Sequence, residues 1–335
     1  MQLPPTDTTG GMPRSKVPAF GPVEGHLDQV RQLIRRQLTA PPKAEPTVQL
    51  LDYLYTRAGK MLRPGLVLLA GAAAGRITDQ HVRIAATVEL IHNATLLHDD
   101  VIDEGQTRRG GPTINNLWGN ESAVLLGDLL LSYVFQMCAD LEPRIISIIA
   151  ATAARTCEGE LRQISARQNW QLSEAEYIDI ITEKSAVFMS SCCRLGALLA
   201  QATESEVESL ARFGLNAGIA FQIADDLLDI TGDEHETGKT TGRDTDKNKL
   251  TLAIIHLLRT VDERTKAKIC DKLDTPGKNK SALTEMLTSY GSLEYAHRRA
   301  REHVARAIRD LEDLHESDAR EALAETARFM ASRTV

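Results

Sequence analysis

The sequence predicts an all-α protein, a large single-domain helical bundle, and three observations predict it. Aromatic residues are only 4% of the 335 while 42% are hydrophobic, with Ala and Leu abundant. Apolar residues recur at the spacing of one helical face along most of the chain. No run of alternating Val, Ile and Thr bounded by hairpin turns marks a strand. By length the chain could hold two domains, but it is also within the range of one, and residues 23–335 are read as one.

Taken in order, residues 1–22 carry Pro4, Pro5, Gly10, Gly11, Pro13 and Pro18 and no apolar h-region. They are expected to be a disordered tail and not a signal peptide. Helices are expected over 25–39 and 46–57, followed by a loop from Gly59 to Pro64 that holds Lys60 and Arg63. Pro64 then opens a helix over 64–75, where its missing N–H costs nothing. A long apolar helix over 78–102 ends in acids, and a second loop, 104–113, contains Arg108-Arg109-Gly-Gly-Pro112. Helices over 120–139, 143–168 and 173–201 follow, the second carrying the polar stretch Glu158 to Gln163 and the third Tyr177 and Lys184-Ser185. A helix over 205–231 ends in acids again and runs into a polar, glycine-rich loop, Gly232 to Lys249. The remaining helices are expected at 250–260, 262–273, 280–290, 292–314 and 316–333.

The two acidic helix ends carry the chemistry. Asp99, Asp100 and Asp103 close the first, and Asp225, Asp226 and Asp229 close the second with the same Asp-Asp-x-x-Asp spacing. Residues four apart share a helix face, so Asp99 and Asp103 point the same way with Asp100 beside them. Like charges there repel, and a helix C-terminus disfavours carboxylates, so each cluster costs stability unless a cation binds it. One such motif could be a solvated helix end; two, each set in Leu, Ile and Ala, indicate hard divalent cations gripping a diphosphate. Arg63 offers phosphate a planar fork and Lys60 a point charge, and Arg108 and Arg109 sit one short connection from the first cluster. His92 lies two turns before Asp99 on the same face. The loop after the second cluster reads as a lid bringing Lys239 and Lys249 over bound phosphate, with His235 merely solvated.

A net charge of -7 argues against nucleic acid, and the basic run His297 to His303 is diluted by acids. Cys138, Cys157, Cys192, Cys193 and Cys270 are an odd number without metal-ligand spacing and read as reduced core residues of a cytoplasmic protein. No apolar stretch is expected to reach the roughly 18 residues of a membrane span, the nearest being Leu66 to Gly75 and Ile145 to Ala154, so no stable membrane insertion is expected.

With these motifs in order, the chain resembles the all-trans polyprenyl diphosphate synthases, the long-chain octaprenyl type most of all. The matching residues are Gly59-Lys60-x-x-Arg63-Pro64, Leu97-His98-Asp99-Asp100-x-x-Asp103 with Arg108-Arg109, Gly127-Asp128, Lys184-Ser185, Phe221-Gln222-x-x-Asp225-Asp226-x-x-Asp229 and Gly238-Lys239. The resemblance implies the isoprenoid synthase fold, a helical bundle around a central cavity, and a homodimer. It implies several Mg2+ ions per site, held by Asp99, Asp103 and Asp225 on an allylic prenyl diphosphate. Arg108, Lys184, Ser185, Gln222 and Lys239 would hold that diphosphate, and Lys60, Arg63, His92 and Arg109 isopentenyl diphosphate. Asp100 and Asp226 complete the expected catalytic set. Ser185, Asn248 and Ala253 depart from the family's usual Thr, Gly and Pro; the serine keeps its hydroxyl, and the other two bear on the shape of the lid's end.

Product length is expected to follow from the helix below the first cluster. Ala94 and Thr95 lie about 6 to 7.5 Å below Asp99 at 1.5 Å per residue, and both are small. No aromatic floor sits there, so a product longer than farnesyl is expected, with a lower floor from Tyr133, Phe135 or Met137. Three rivals share parts of the pattern. A class I terpene cyclase would not ordinarily need Lys60, Arg63 and Arg109. A di-iron carboxylate bundle would use Glu89/His92 and Glu294/His297. A non-catalytic partner subunit would have little reason to keep both acidic clusters.

Overall fold

Side-chain caps set where several long helices begin. Thr203 and Ser173 each accept the N–H three residues on, while Glu206 and Glu176 reach back to the capping N–H. The computed structural model describes residues 17–40, 43–57, 59–232, 247–273 and 280–332. Its helices are α1 (Glu24–Thr39), α2 (Glu45–Thr56), α3 (Leu62–Ala74), α4 (Asp79–Ile102), α5 (Ile114–Cys138), α6 (Pro143–Ser165), α7 (Glu174–Ile181) and α8 (Val187–Leu199). They continue as α9 (Glu204–Thr231), α10 (Leu252–Thr260), α11 (Glu263–Leu273), α12 (Lys280–Ser289), α13 (Ser292–Asp310) and α14 (Asp318–Ala331).

Helix α9 is the shared wall. Its first half, with Val207, Leu210 and Phe213, is buried in a core built largely by α1, α3, α4, α5 and α8. Its second half, with Ile219, Ile223, Leu227 and Ile230, packs into another core formed with α7, α10, α12 and α13. Helices α3 and α4 are buried along most of their length, so their apolar residues run all round and not on one stripe.

Four features differ from the expectation. The tail is shorter: Pro18–Val23 form a 3-10 turn, and Phe20 is fully buried under Gly65 of α3. The loop after α4 contains a minimal hairpin, β1 (Thr107–Arg108) antiparallel to β2 (Gly111–Pro112). Helix α5 starts at Ile114 and is broken at Gly119, whose φ of 85° no helix allows, so the expected start at 120 marks the break. The expected helix over 173–201 holds a π-turn, Thr182–Ala186, between α7 and α8. That turn meets α6 at Gly159, where any side chain would strike the Lys184 backbone.

The expectation that no segment has the length and hydropathy of a membrane span fails for α5, which at 25 residues is long and apolar enough for one. That helix packs on α4, with Leu125 (67% exposed) and Phe135 (72%) facing outward. Of the five free cysteines, Cys138, Cys192 and Cys193 are core residues as expected, while Cys157 is exposed and Cys270 half-buried.

Candidate active site

The site lies where the last turns of α4 and α9, the hairpin and the π-turn converge. Arg108 shows the convergence. Its Nε donates to both Asp100 oxygens at 3.0 and 2.9 Å, and although burial works against its charge, this pair together with Asp99 and Asp225 raises its pKa above the ordinary arginine value. One guanidinium therefore feels both acidic clusters. Burial pushes the Asp99 carboxyl up to about 6; Glu160 and Asp103 add to the rise, and Lys184 and Arg108 oppose it. Asp103, half-buried, accepts from Arg167 and from Lys249, each at 3.3 Å.

The second cluster is wired differently. Asp226 is buried with both oxygens engaged, by the Tyr177 hydroxyl at 2.6 Å and the Gln222 amide at 2.8 Å. Gln222 in turn accepts from Ser185 at 2.7 Å. Lys184, on the same π-turn, donates to Glu160 at 2.5 Å and to Gln163 at 2.7 Å. Asp225, next in line, is half-buried and within electrostatic reach of Arg108.

A cationic pocket sits beside these acids. Arg63 lies with its Cζ 5.0 Å above the Phe188 ring, and its Nε is buried without a hydrogen-bond partner. Arg109 donates to the Arg57 carbonyl at 2.7 Å and to Asn93 at 3.4 Å. Burial, followed by Arg63, Arg109 and Arg108, holds His92 well below the usual histidine range, so its imidazole is neutral. Burial raises the Glu89 carboxyl, against the pull of Arg109 and Arg63. Lys60, by contrast, is exposed, with its ammonium 5.6 Å from the Phe329 ring of α14.

Below Asp99 opens a cavity of about 110 Å³. Ala94 and Thr95 line it as expected, with Val88 and Ile91 deeper on α4. Helices α6 and α8 supply Ile149, Thr152, Ala153, Cys157, Phe188, Ser191 and Leu195. The expected floor is corrected: none of Tyr133, Phe135 and Met137 lines the cavity, and Leu131, one turn before Phe135 on α5, does. Phe135 faces outward, and Tyr133 and Met137 are buried elsewhere in the core.

Most of the expected site residues thus come together. Lys239, His235 and most of the expected lid, 233–246, lie outside the described residues. Sequence reasoning missed Arg167, Tyr177, Asn93 and Glu160 as members of the site; Tyr177, two turns before Lys184, and Glu160, within the polar stretch Glu158 to Gln163, carried a positional signal. The pairs Glu89/His92 and Glu294/His297 do not form one site, because Glu294 is exposed and paired with Arg301 on α13, which packs on α9, α10, α12 and α14.

The family model described as polyprenyl synthetase matches residues 45–290. The chain belongs to that family. It is a chain-elongating prenyltransferase, a polyprenyl diphosphate synthase, as its relatives are. The octaprenyl diphosphate synthase of Haemophilus influenzae is 35% identical over 92% of this chain and 94% of its own length. A short chain isoprenyl diphosphate synthase of Methanothermobacter thermautotrophicus is 34% identical over 86% of this chain and 91% of its own. Among solved structures, a polyprenyl synthase from Caulobacter crescentus, complexed with calcium and isoprenyl diphosphate, superposes with a TM-score of 0.90 at 30% identity, covering 96% of this chain and 99% of that one. The synthase fold is therefore the family's.

Proposed function

We propose that this site joins isopentenyl diphosphate to an allylic prenyl diphosphate, head to tail and trans, to give a product longer than C15. The cavity beneath Asp99, walled by small residues at Ala94 and Thr95, is the observation that carries the length. The allylic diphosphate would lie between the clusters, held by Arg108, Lys184, Ser185, Gln222, Lys239 and Lys249. Isopentenyl diphosphate would lie on Arg63, Arg109 and Lys60, with neutral His92 as a hydrogen-bond partner and not a further cation.

The donor set fits Mg2+. Asp99, Asp103 and Asp225 are hard oxygen donors, and burial, with Glu160 and Asp103 adding to it, makes the ionised Asp99 costly until a cation balances it. Among the described residues no three His, Cys, Asp or Glu side chains close a metal site unaided, which suits an ion that takes one or two carboxylates and completes its shell with phosphate and water. When bound, Mg2+ neutralises the departing diphosphate. The remaining work falls to the chain. Arg108 and Lys184 stabilise the leaving oxygens as the allylic C–O bond breaks and its electron pair goes to the diphosphate. The double bond of isopentenyl diphosphate attacks the allylic cation, and the proton lost restores a double bond and passes to the released diphosphate. Phe188, Ile91 and Ala94 keep water from the cation.

The outward apolar residues of α5 favour a homodimer, and the free thiols together with charged substrates favour the cytoplasm. The test is incubation with isopentenyl diphosphate and a panel of allylic starters, with and without Mg2+, products being read by mass. Metal-dependent products in five-carbon steps beyond C15 are expected. Products that stop at C15 would overturn the length, and no elongation in folded protein would overturn the reaction.

A further inference from the structure

Two loops carry the cations of the second-diphosphate pocket, and they hold each other by exchanging arginines. From the end of α2, Arg57 reaches into the hairpin. Its guanidinium lies with Cζ 4.7 Å above the Tyr53 ring and so close to Gly111 that a methyl group there would run into all of its terminal atoms. From the hairpin, Arg109 reaches back. It donates to the Arg57 carbonyl at 2.7 Å and lies across Gly59, where a methyl group would again collide with the guanidinium. Tyr53 tightens the exchange, donating to the Pro112 carbonyl at 2.6 Å with its ring edge-on to Trp118 at 5.1 Å.

Beyond the Arg57 carbonyl, Arg109 has the charge of buried Glu89 nearby, which attracts it without fixing its direction. Its φ is 51°, in the left-handed region that a branched or long side chain adopts only when its surroundings impose it. Its second hydrogen bond is a long one to Asn93, at 3.4 Å. Arg108, one residue earlier, is secured independently by two bonds to Asp100. The two neighbouring arginines therefore depend on different supports.

We infer that Arg57, packed against Tyr53 and Gly111, is a positioning residue that sets Arg109 to receive the diphosphate of isopentenyl diphosphate while leaving the allylic site alone. This rests on the function proposed above. Arg57 contributes a planar face that fits a slot one glycine wide, and a lysine ammonium keeps the charge but cannot fill it.

The test is a double-mutant cycle between Arg57→Ala and Gly111→Ala, read by calorimetric titration of isopentenyl diphosphate and by KM for each substrate. Arg57→Ala is expected to weaken isopentenyl diphosphate binding by about tenfold with the allylic KM changed by less than about twofold. Gly111→Ala displaces the same guanidinium and should cost a similar factor alone, yet nothing further in the Arg57→Ala background. Arg57→Lys should behave as Arg57→Ala, and thermal unfolding of each variant checks that the fold is intact. Unchanged affinity in Arg57→Ala, losses that multiply in the double variant, or both KM values rising together would overturn the inference. A wild-type protein that does not bind isopentenyl diphosphate at all would instead overturn the function on which it rests.

Discussion

Three aspartates in each cluster look alike in the sequence and do different jobs in the fold. Asp100 and Asp226 spend their oxygens on Arg108, Tyr177 and Gln222, whereas Asp99 carries a charge that its surroundings disfavour. The pH dependence follows from the sign of that shift. Burial raises Asp99 to about 6, so its protonated form is favoured relative to the unfolded chain, and that contribution is complete below the ordinary aspartate range and lost as pH rises through about 6. A divalent ion needs the ionised form. Its apparent affinity should be flat near neutrality and fall by up to about tenfold per unit below about 6, which titration of Mg2+ by thermal shift across pH would measure. Tyr177→Phe should cost about 1–3 kcal/mol of stability by removing the hydroxyl that donates to the buried Asp226 carboxylate, and should raise the Mg2+ concentration needed for half-maximal turnover. Nothing in an Asp-Asp-x-x-Asp pattern distinguishes these roles, because they depend on which side chain arrives from another helix.

At the scale of elements, α4 does most of the organising: its last turn presents the acids and the turns before it line the cavity. Ala94→Phe should fill the space beneath Asp99 and shorten the product, and an unchanged mass distribution would count against the cavity as the chain's path. Gly159→Ala should force α6 away from the π-turn and lower turnover through Lys184, with substrate KM changing less than kcat. The helices themselves were legible, since long periodic apolar segments and the acidic ends of α4 and α9 are strong local signals. The hairpin was not, because strands of two residues show no period. The π-turn was hidden for a related reason: one extra residue in a turn leaves an apolar pattern that still reads as a single helix over 173–201. Phe135 was misassigned because periodicity gives a helix face but not which neighbour, or none, lies against it.

At the scale of the whole molecule, the outward α5 residues Leu125 and Phe135 are the most exposed large apolar side chains among the described residues. Sedimentation should find a dimer, and Leu125→Arg with Phe135→Arg should give a folded monomer; a wild-type monomer would count against the pairing. The same view explains why resemblance along the sequence says so little about product length. Relatives named for short chains and for octaprenyl chains stand at 34% and 35% identity to this one. The charged turn of α4 and the small side chains below it occupy successive turns, so the lining can drift while the acids stay fixed. A lineage can then change what it makes by one interior substitution, without passing through an inactive ancestor. Natural selection meets here a machine whose engine and whose yardstick are inherited together but edited separately.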